Sequence, residues 1–458
     1  MRWRLLQTVT FCSLAATGSC AQLLGIESLD EGADARDVDT PVDAPFDAPF
    51  DAPTGDGRDA LDGDAIDAGT FDFVLVDKLG ASPVLEQGSV GSAVASDGDI
   101  IVVGAPSRVN TDVGAAYVWR RDGDTWVEDA TLAPSDGNAE DRFGNSVAIS
   151  GGLIAVGAPY NDEKGSAAGA VYIFEYVNGT DGWQQIAKLM ADDAAVSTGA
   201  GLGWSVSVSG ALVVAGAPGD DEINTNGGAV YAFKRLGASW IATKITSSEA
   251  GYGDHLGWSV SLADNRMAVG VPYADRGETD TGAMYIYEVS NDIWSQQATL
   301  SGSQSTLFDL LGWSVSIRGS IAVAGGNPVA TGLSGSAYVF EHDGSAWSET
   351  SRLVASDASS DDFFGYSVAT DGVDVLIGAY GNDQVAMNAG LAYVFEKGND
   401  GWEQAHMLAA ADGSASDNLG SAVSIEDGLV CVGANLDDDG GTNTGSLYVF
   451  ERRLVSGP

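Results

Sequence analysis

From residue 71 onward the chain alternates short apolar runs with Gly-rich breaks, and the alternation itself recurs. The stretch Phe143 to Phe174 shows it most clearly. Ser146 to Ile149 alternates polar with apolar, Ser150-Gly151-Gly152 turns the chain, and Leu153 to Val156 is an unbroken apolar run closed by Gly157-Ala158-Pro159. A polar loop leads to a third run at Ala170 to Glu175, and Trp183 to Leu189 alternates again. Period-two alternation marks a strand covered on one face; a continuous apolar run of this length marks one covered on both. The pattern predicts units of four antiparallel strands, with the second and third the most deeply covered.

The unit comes back at a near-constant interval. A Gly followed by Ser, Asn, Trp or Tyr opens the first strand at Gly91, Gly144, Gly203, Gly257, Gly312, Gly365 and Gly420, with spacings of 53, 59, 54, 55, 53 and 55 residues. Such a period signals a solenoid, a propeller or an array. Six fourth strands begin at Trp126, Trp183, Trp240, Trp294, Trp347 and Trp402, one fewer than the repeats. The missing one is Phe73 to Leu79, which precedes the first repeat and matches the end of a fourth strand, while the last repeat stops after its third strand, Leu447 to Glu451. The expected fold is therefore all-β: a seven-bladed β-propeller of four-stranded antiparallel blades, closed by the N-terminal strand completing the last blade. Closure removes the open edges that an array would leave to aggregate.

Composition narrows the partners. The chain of 458 residues carries 65 acids against 21 bases, a formal net charge of -44. A field of that sign excludes nucleic acid and anionic membrane surfaces as partners. Cys12 and Cys20 lie near the N-terminus and Cys431 in the apolar run Leu429 to Val432, so the repeats contain no disulfide framework. Three domains are expected. Residues 1–20 read as a signal peptide: Arg2 and Arg4, an apolar run Leu5 to Ala16, then Thr17-Gly18-Ser19-Cys20. Residues 21–70 repeat Asp-Ala-Pro and Asp-Gly and read as a disordered acidic tether. Residues 71–454 are the propeller.

The seven repeats resemble the FG-GAP repeats of the integrin alpha-chain N-terminal β-propeller and its bacterial relatives. "FG" stands as Phe143-Gly144 and Phe364-Gly365, with Leu in place of Phe at Leu202, Leu256, Leu311 and Leu419. "GAP" stands as Gly104-Ala105-Pro106, Gly157-Ala158-Pro159 and Gly216-Ala217-Pro218, and loosens in the other copies. The resemblance implies the propeller fold and a binding or adhesion role. The family's calcium loops lie between strands one and two, and here those places are hairpins such as Ser209-Gly210 and Arg318-Gly319, too short to wrap a cation with six oxygens. The N-terminus resembles that of a bacterial lipoprotein, which implies lipidation at Cys20; ordinary signal-peptidase cleavage is the alternative. A lipidated chain would be an outer-membrane or cell-surface protein, and an unlipidated one would be secreted.

Acid gathers elsewhere. Asp162, Glu163, Asp220, Asp221, Glu222, Asp275, Asp437, Asp438 and Asp439 crowd the loops between strands two and three and are the candidate binding or calcium loops. No cofactor is otherwise implied, and calcium is the one candidate ion. A second set, Asp141, Asp254, Asp309, Asp362 and Asp417, lies three residues before the repeat Gly and reads as turn caps accepting backbone N–H bonds. In a four-stranded meander the two–three and four–one loops share a face. They are the long, varied ones, so that face is expected to do the binding.

No catalytic constellation is visible. Gly203-Trp204-Ser205-Val206-Ser207 lacks the closing Gly of a nucleophile elbow, and no His pair or phosphate loop occurs. The expected function is a surface-displayed, envelope-anchored adhesion module, monomeric, recognising an extracellular protein or a polysaccharide. The alternatives are a structural envelope protein without a ligand, and a polysaccharide lyase or hydrolase with axial acids.

Overall fold

The computed structural model describes residues 70–82, 86–107, 112–177, 182–192, 199–327 and 333–455. The expected signal peptide, Cys20 and the expected tether lie outside them, except Thr70, which belongs to the first strand. The described residues form seven four-stranded antiparallel sheets, and six are simple meanders in chain order. The seventh is built from both ends of the chain: the opening strand Thr70–Leu79 joins the outer edge of Ser446–Val455, followed inward by Leu429–Ala434 and Leu419–Glu426. Blades are numbered here by their repeat Gly, from Gly91 in blade 1 to Gly420 in blade 7.

The closing pair is longer than the sequence pattern implies. Thr70 pairs with Val455 and Leu79 with Leu447, with a bulge between Leu75 and Asp77. Apolar alternation stops at Glu451, but Glu451, Arg452 and Arg453 stay in the strand because they reach ion-pair partners: Glu451 meets Arg121 of blade 1, and Arg452 meets Asp374 and Glu396 of blade 6, each at 3.0 Å. Phe73 and Leu79 point to opposite sides of the strand, and each enters a core shared with a neighbouring blade.

Each core fills the space between two blades. The strand-three tyrosines Tyr117, Tyr172, Tyr231, Tyr285, Tyr338, Tyr393 and Tyr448 are buried, as are Trp126, Trp183 and Trp402 of strand four. The repeat glycines explain how closely blades approach. A Cβ on Gly257 would land on the carbonyl of Ala229, and its φ of 90° is one that residues with side chains avoid. The Gly of GAP faces it from the preceding blade: a Cβ on Gly216 would strike the carbonyl of Gly257. The "FG" and "GAP" glycines are thus the two halves of one interblade contact.

Polar side chains stitch the inner strands together. Ser259 and Ser261 of blade 4 accept from Val315 and Ile317 N–H of blade 5, each at 3.1 Å, and Ser314 and Ser316 repeat the arrangement onto blade 6. Blade 7 meets blade 1 through two side chains instead, Ser424 Oγ lying 2.9 Å from Ser96 Oγ.

Candidate functional site

The four–one loops enter the inner strands through a repeated backbone device. In every blade the residues four and two places before the repeat Gly have positive φ, as in Glu140 (75°) and Arg142 (55°), Phe308 (64°) and Leu310 (53°), or Asp361 (67°) and Phe363 (56°). Two left-handed residues so close fold the loop sharply inward, and the predicted Asp caps hold that fold. Asp254 accepts from Gly251 N–H at 2.7 Å, Asp362 from Ser359 at 2.8 Å and Asp417 from Ser414 at 2.5 Å.

The side chain after each repeat Gly is consequently carried to the axis, at the start of the innermost strand. In blades 3 to 6 it is aromatic, and the four rings touch in series. Trp204 lies 4.9 Å from Trp258, Trp258 4.7 Å from Trp313, and Trp313 5.9 Å from Tyr366, centroid to centroid. The tilts between the tryptophans, 49° and 46°, are close to one-seventh of a full turn, as expected for one position carried round the axis blade by blade. Tyr160 extends the row beyond Trp204 at 6.5 Å, and Tyr380 beyond Tyr366 at 4.5 Å. All six rings are half-buried. The remaining arc carries Ser92, Asn145 and Ser421 at the equivalent positions. The mouth is therefore an aromatic wall facing a small, neutral polar one.

Sequence reasoning reads Gly-Trp-Ser-Val only as the start of a strand, because the ring contacts join residues about one repeat apart. The signal was the residue after the repeat Gly, aromatic in four consecutive copies and polar in the other three.

The nine candidate acids lie further out on the same face, and the structure brings them into their own blades. Asp220 and Asp437 are buried; Asp220 is 2.8 Å from Lys244, and Asp437 is 2.9 Å from Lys78. Both accept from the strand-three tyrosines, Tyr231 at 3.2 Å and Tyr448 at 3.0 Å. Glu163, Glu222 and Asp439 complete the cages round Lys188, Lys244 and Lys78, at 2.6, 2.7 and 2.6 Å. Asp162, Asp221 and Asp275 each accept from the backbone N–H five residues on, at 2.7, 2.7 and 2.9 Å. Asp438 sits on the rim of its loop, exposed.

Burial alone would lower the Lys78 pKa, but Asp412, Asp437, Asp439 and Tyr448 hold it well above the usual lysine range. Burial pushes the Tyr172 hydroxyl up to about 12. Blade 6 has Met407 where blades 2, 3 and 7 have lysine, and there Tyr393 donates to Asp357 at 2.9 Å; Asn382 stands where blades 3 and 7 have the buried acid, as Asn161 does in blade 2. Among the described residues no group of His, Cys, Asp and Glu has the arrangement of a metal site.

The other face serves the fold. Asp343 caps its turn by accepting from the Ser345 hydroxyl at 2.7 Å and from Ala346 and Ser345 N–H at 2.9 and 2.7 Å, which holds its carboxyl down at about 2. The innermost strands carry acids at Asp97 and Glu426, and these bind the neighbouring hairpins at Gly151 and Gly98. His255 packs beside Trp258 and Tyr273, His342 on Trp347 and His406 on Phe73, in three separate places. Cys431 is buried without a disulfide.

Comparison with known families gives one match. A family model described as FG-GAP repeat matches residues 126–174, 183–233, 242–287, 294–340, 347–395 and 402–450. Each segment runs from the fourth strand of one blade to the third strand of the next. No curated protein matches the chain.

Proposed function

The chain belongs to the FG-GAP repeat family, and from that premise we propose that it is a binding module whose working surface is the face bearing the four–one and two–three loops. The observation that carries the reading is the row of half-exposed rings from Tyr160 to Tyr380 at the axial mouth of that face. Exposed aromatics held on a rigid scaffold offer large contact area at little ordering cost. The acidic loops take a supporting part in this reading, since their carboxylates already hold lysines and backbone N–H groups. Calcium, the ion first weighed for them, would have to displace Lys78, Lys188 or Lys244.

The remainder of the proposal concerns where the module works. The N-terminal pattern supports export and lipidation at Cys20, with residues 21–70 as an acidic spacer holding a monomeric propeller out from the envelope. The partner is then an extracellular protein or a polysaccharide. Mass spectrometry of the mature N-terminus reads the anchor directly. For the binding face, the full chain is applied to an extracellular-protein array and a glycan array. The double variant Trp258→Ala/Trp313→Ala is expected to lose the signal, and Asp400→Ala, in a hairpin on the opposite face, to keep it. Signal that survives the double variant overturns the choice of face.

A further inference from the structure

We propose that the axial mouth is a saccharide site that takes a neutral pyranose chain, laid against the wall formed by Trp204, Trp258, Trp313 and Tyr366. The inference rests on the binding reading above and names the chemistry of its ligand. A pyranose ring has a C–H face that packs on an aromatic ring and a rim of hydroxyls that must be hydrogen-bonded once water is displaced. The mouth supplies both halves. Adjacent tryptophan centroids are 4.9 and 4.7 Å apart, a step comparable with the length of one sugar residue, so neighbouring rings can meet successive residues.

The hydrogen-bonding half is the remaining arc, where Ser92, Asn145 and Ser421 occupy the positions that carry the rings in blades 3 to 6, Ser92 and Asn145 half-buried. Ser92 Oγ donates to the Ser89 carbonyl, Asn145 Nδ2 to the Trp204 carbonyl and Ser421 Oγ to the Gly433 carbonyl, at 2.8, 3.0 and 3.1 Å. Those bonds use donors and leave the Asn145 amide oxygen and the hydroxyl lone pairs to accept, so this set calls for O–H donors.

Two observations set the charge of the ligand. The net charge of -44 repels uronates and sulfated sugars. The nearby acids Asp141, Asp254, Asp362 and Asp417 are buried and spent as loop caps. The cation Arg142 beside the wall already lies over the Tyr160 ring at 4.6 Å. A neutral polyhydroxylated chain fits that mixture of apolar faces and uncharged acceptors.

The test is calorimetric titration of the full chain with a panel of neutral hexasaccharides: gluco-, manno-, galacto- and xylo-oligomers in α and β linkage. Polygalacturonate hexamer and an oligolysine peptide serve as charged comparators. At least one neutral oligomer is expected to bind and to quench tryptophan fluorescence. Its affinity is expected to fall about tenfold or more in Trp258→Ala, the order of one lost stacking contact, and to be largely restored in Trp258→Phe. Retention of the thermal transition in both variants separates binding from folding. Binding of no neutral oligomer, binding only of a charged comparator, or binding indifferent to Trp258 each overturns the saccharide inference. If the panel fails while a protein partner is bound through Trp258 and Trp313, the saccharide inference falls and the binding face stands. If the wall variants alter no binding at all, both fall.

Discussion

Lys78 stands 2.8 Å from Asp412, 2.9 Å from Asp437 and 2.6 Å from Asp439, with Asp437 sealed from water and Tyr448 donating to it. Lys244 repeats the arrangement in blade 3 with buried Asp220 and with Glu222, while in blade 2 Lys188 meets the more exposed Asp136 and Glu163, Asn161 standing in place of the buried acid. Lys78 and Lys188 tie both the two–three loop and the four–one loop to the fourth strand, and Lys244 ties the two–three loop, which is why a cluster that reads as a ligand cage works as a brace. Removing the cation leaves a buried carboxylate without its counter-charge. Full burial would put that loss at about 3–5 kcal/mol; Lys78 keeps a quarter of its side chain exposed, so Lys78→Met is expected to cost about 2 kcal/mol. Urea unfolding measures it. Adding Asp437→Asn should recover part of the loss, because the orphaned charge goes with it. A Lys78→Met protein as stable as the parent would mean that the cage is not a brace.

At the scale of the strand, the molecule depends on Thr70–Leu79. Without it, the ten-residue strand Ser446–Val455 becomes a sheet edge, and the cores entered by Phe73 and Leu79 lie open. Deleting residues 70–79 is expected to give an oligomerising product with a lower, broader thermal transition, read by size-exclusion chromatography and calorimetry. A monomeric product with the parental transition would overturn closure by this strand. Strands were the legible part of the sequence because Gly, Pro and Trp punctuate each one and the cover on each face sets the apolar spacing. Asp254 and Asp362 were legible as caps because their partners are three residues away. The braces were not, since Lys78 lies far from Asp437 in the chain and meets it only once the ring closes. The aromatic wall was hidden for the same reason: Trp204, Trp258 and Trp313 become neighbours through the propeller's symmetry, which no local pattern contains.

For the molecule as a whole, the question is whether its charge supports the fold or strains it. Residues 70–458 contain 51 acids and 17 bases, so even if every base pairs, most acids have no cation of their own. Some of that excess is absorbed by backbone N–H groups, as at Asp162 and Asp343, but hydrogen bonding does not cancel charge. The surplus repels itself across the surface, over distances that salt screens readily. The braces act at contact distance around partly buried groups, where screening is weak. Raising sodium chloride from about 0.01 M to about 1 M shortens the screening length from roughly 30 Å to roughly 3 Å, which removes most of the repulsion and little of the bracing. The melting temperature is therefore expected to rise by a few degrees over that range, followed by calorimetry at fixed pH. In Lys78→Met the rise should be slightly larger, because the net negative charge that repels itself across the surface grows by one. A melting temperature that falls with salt would show that ion pairs outweigh the surplus, and that the acids of the loop face are held in place by charge rather than merely tolerated.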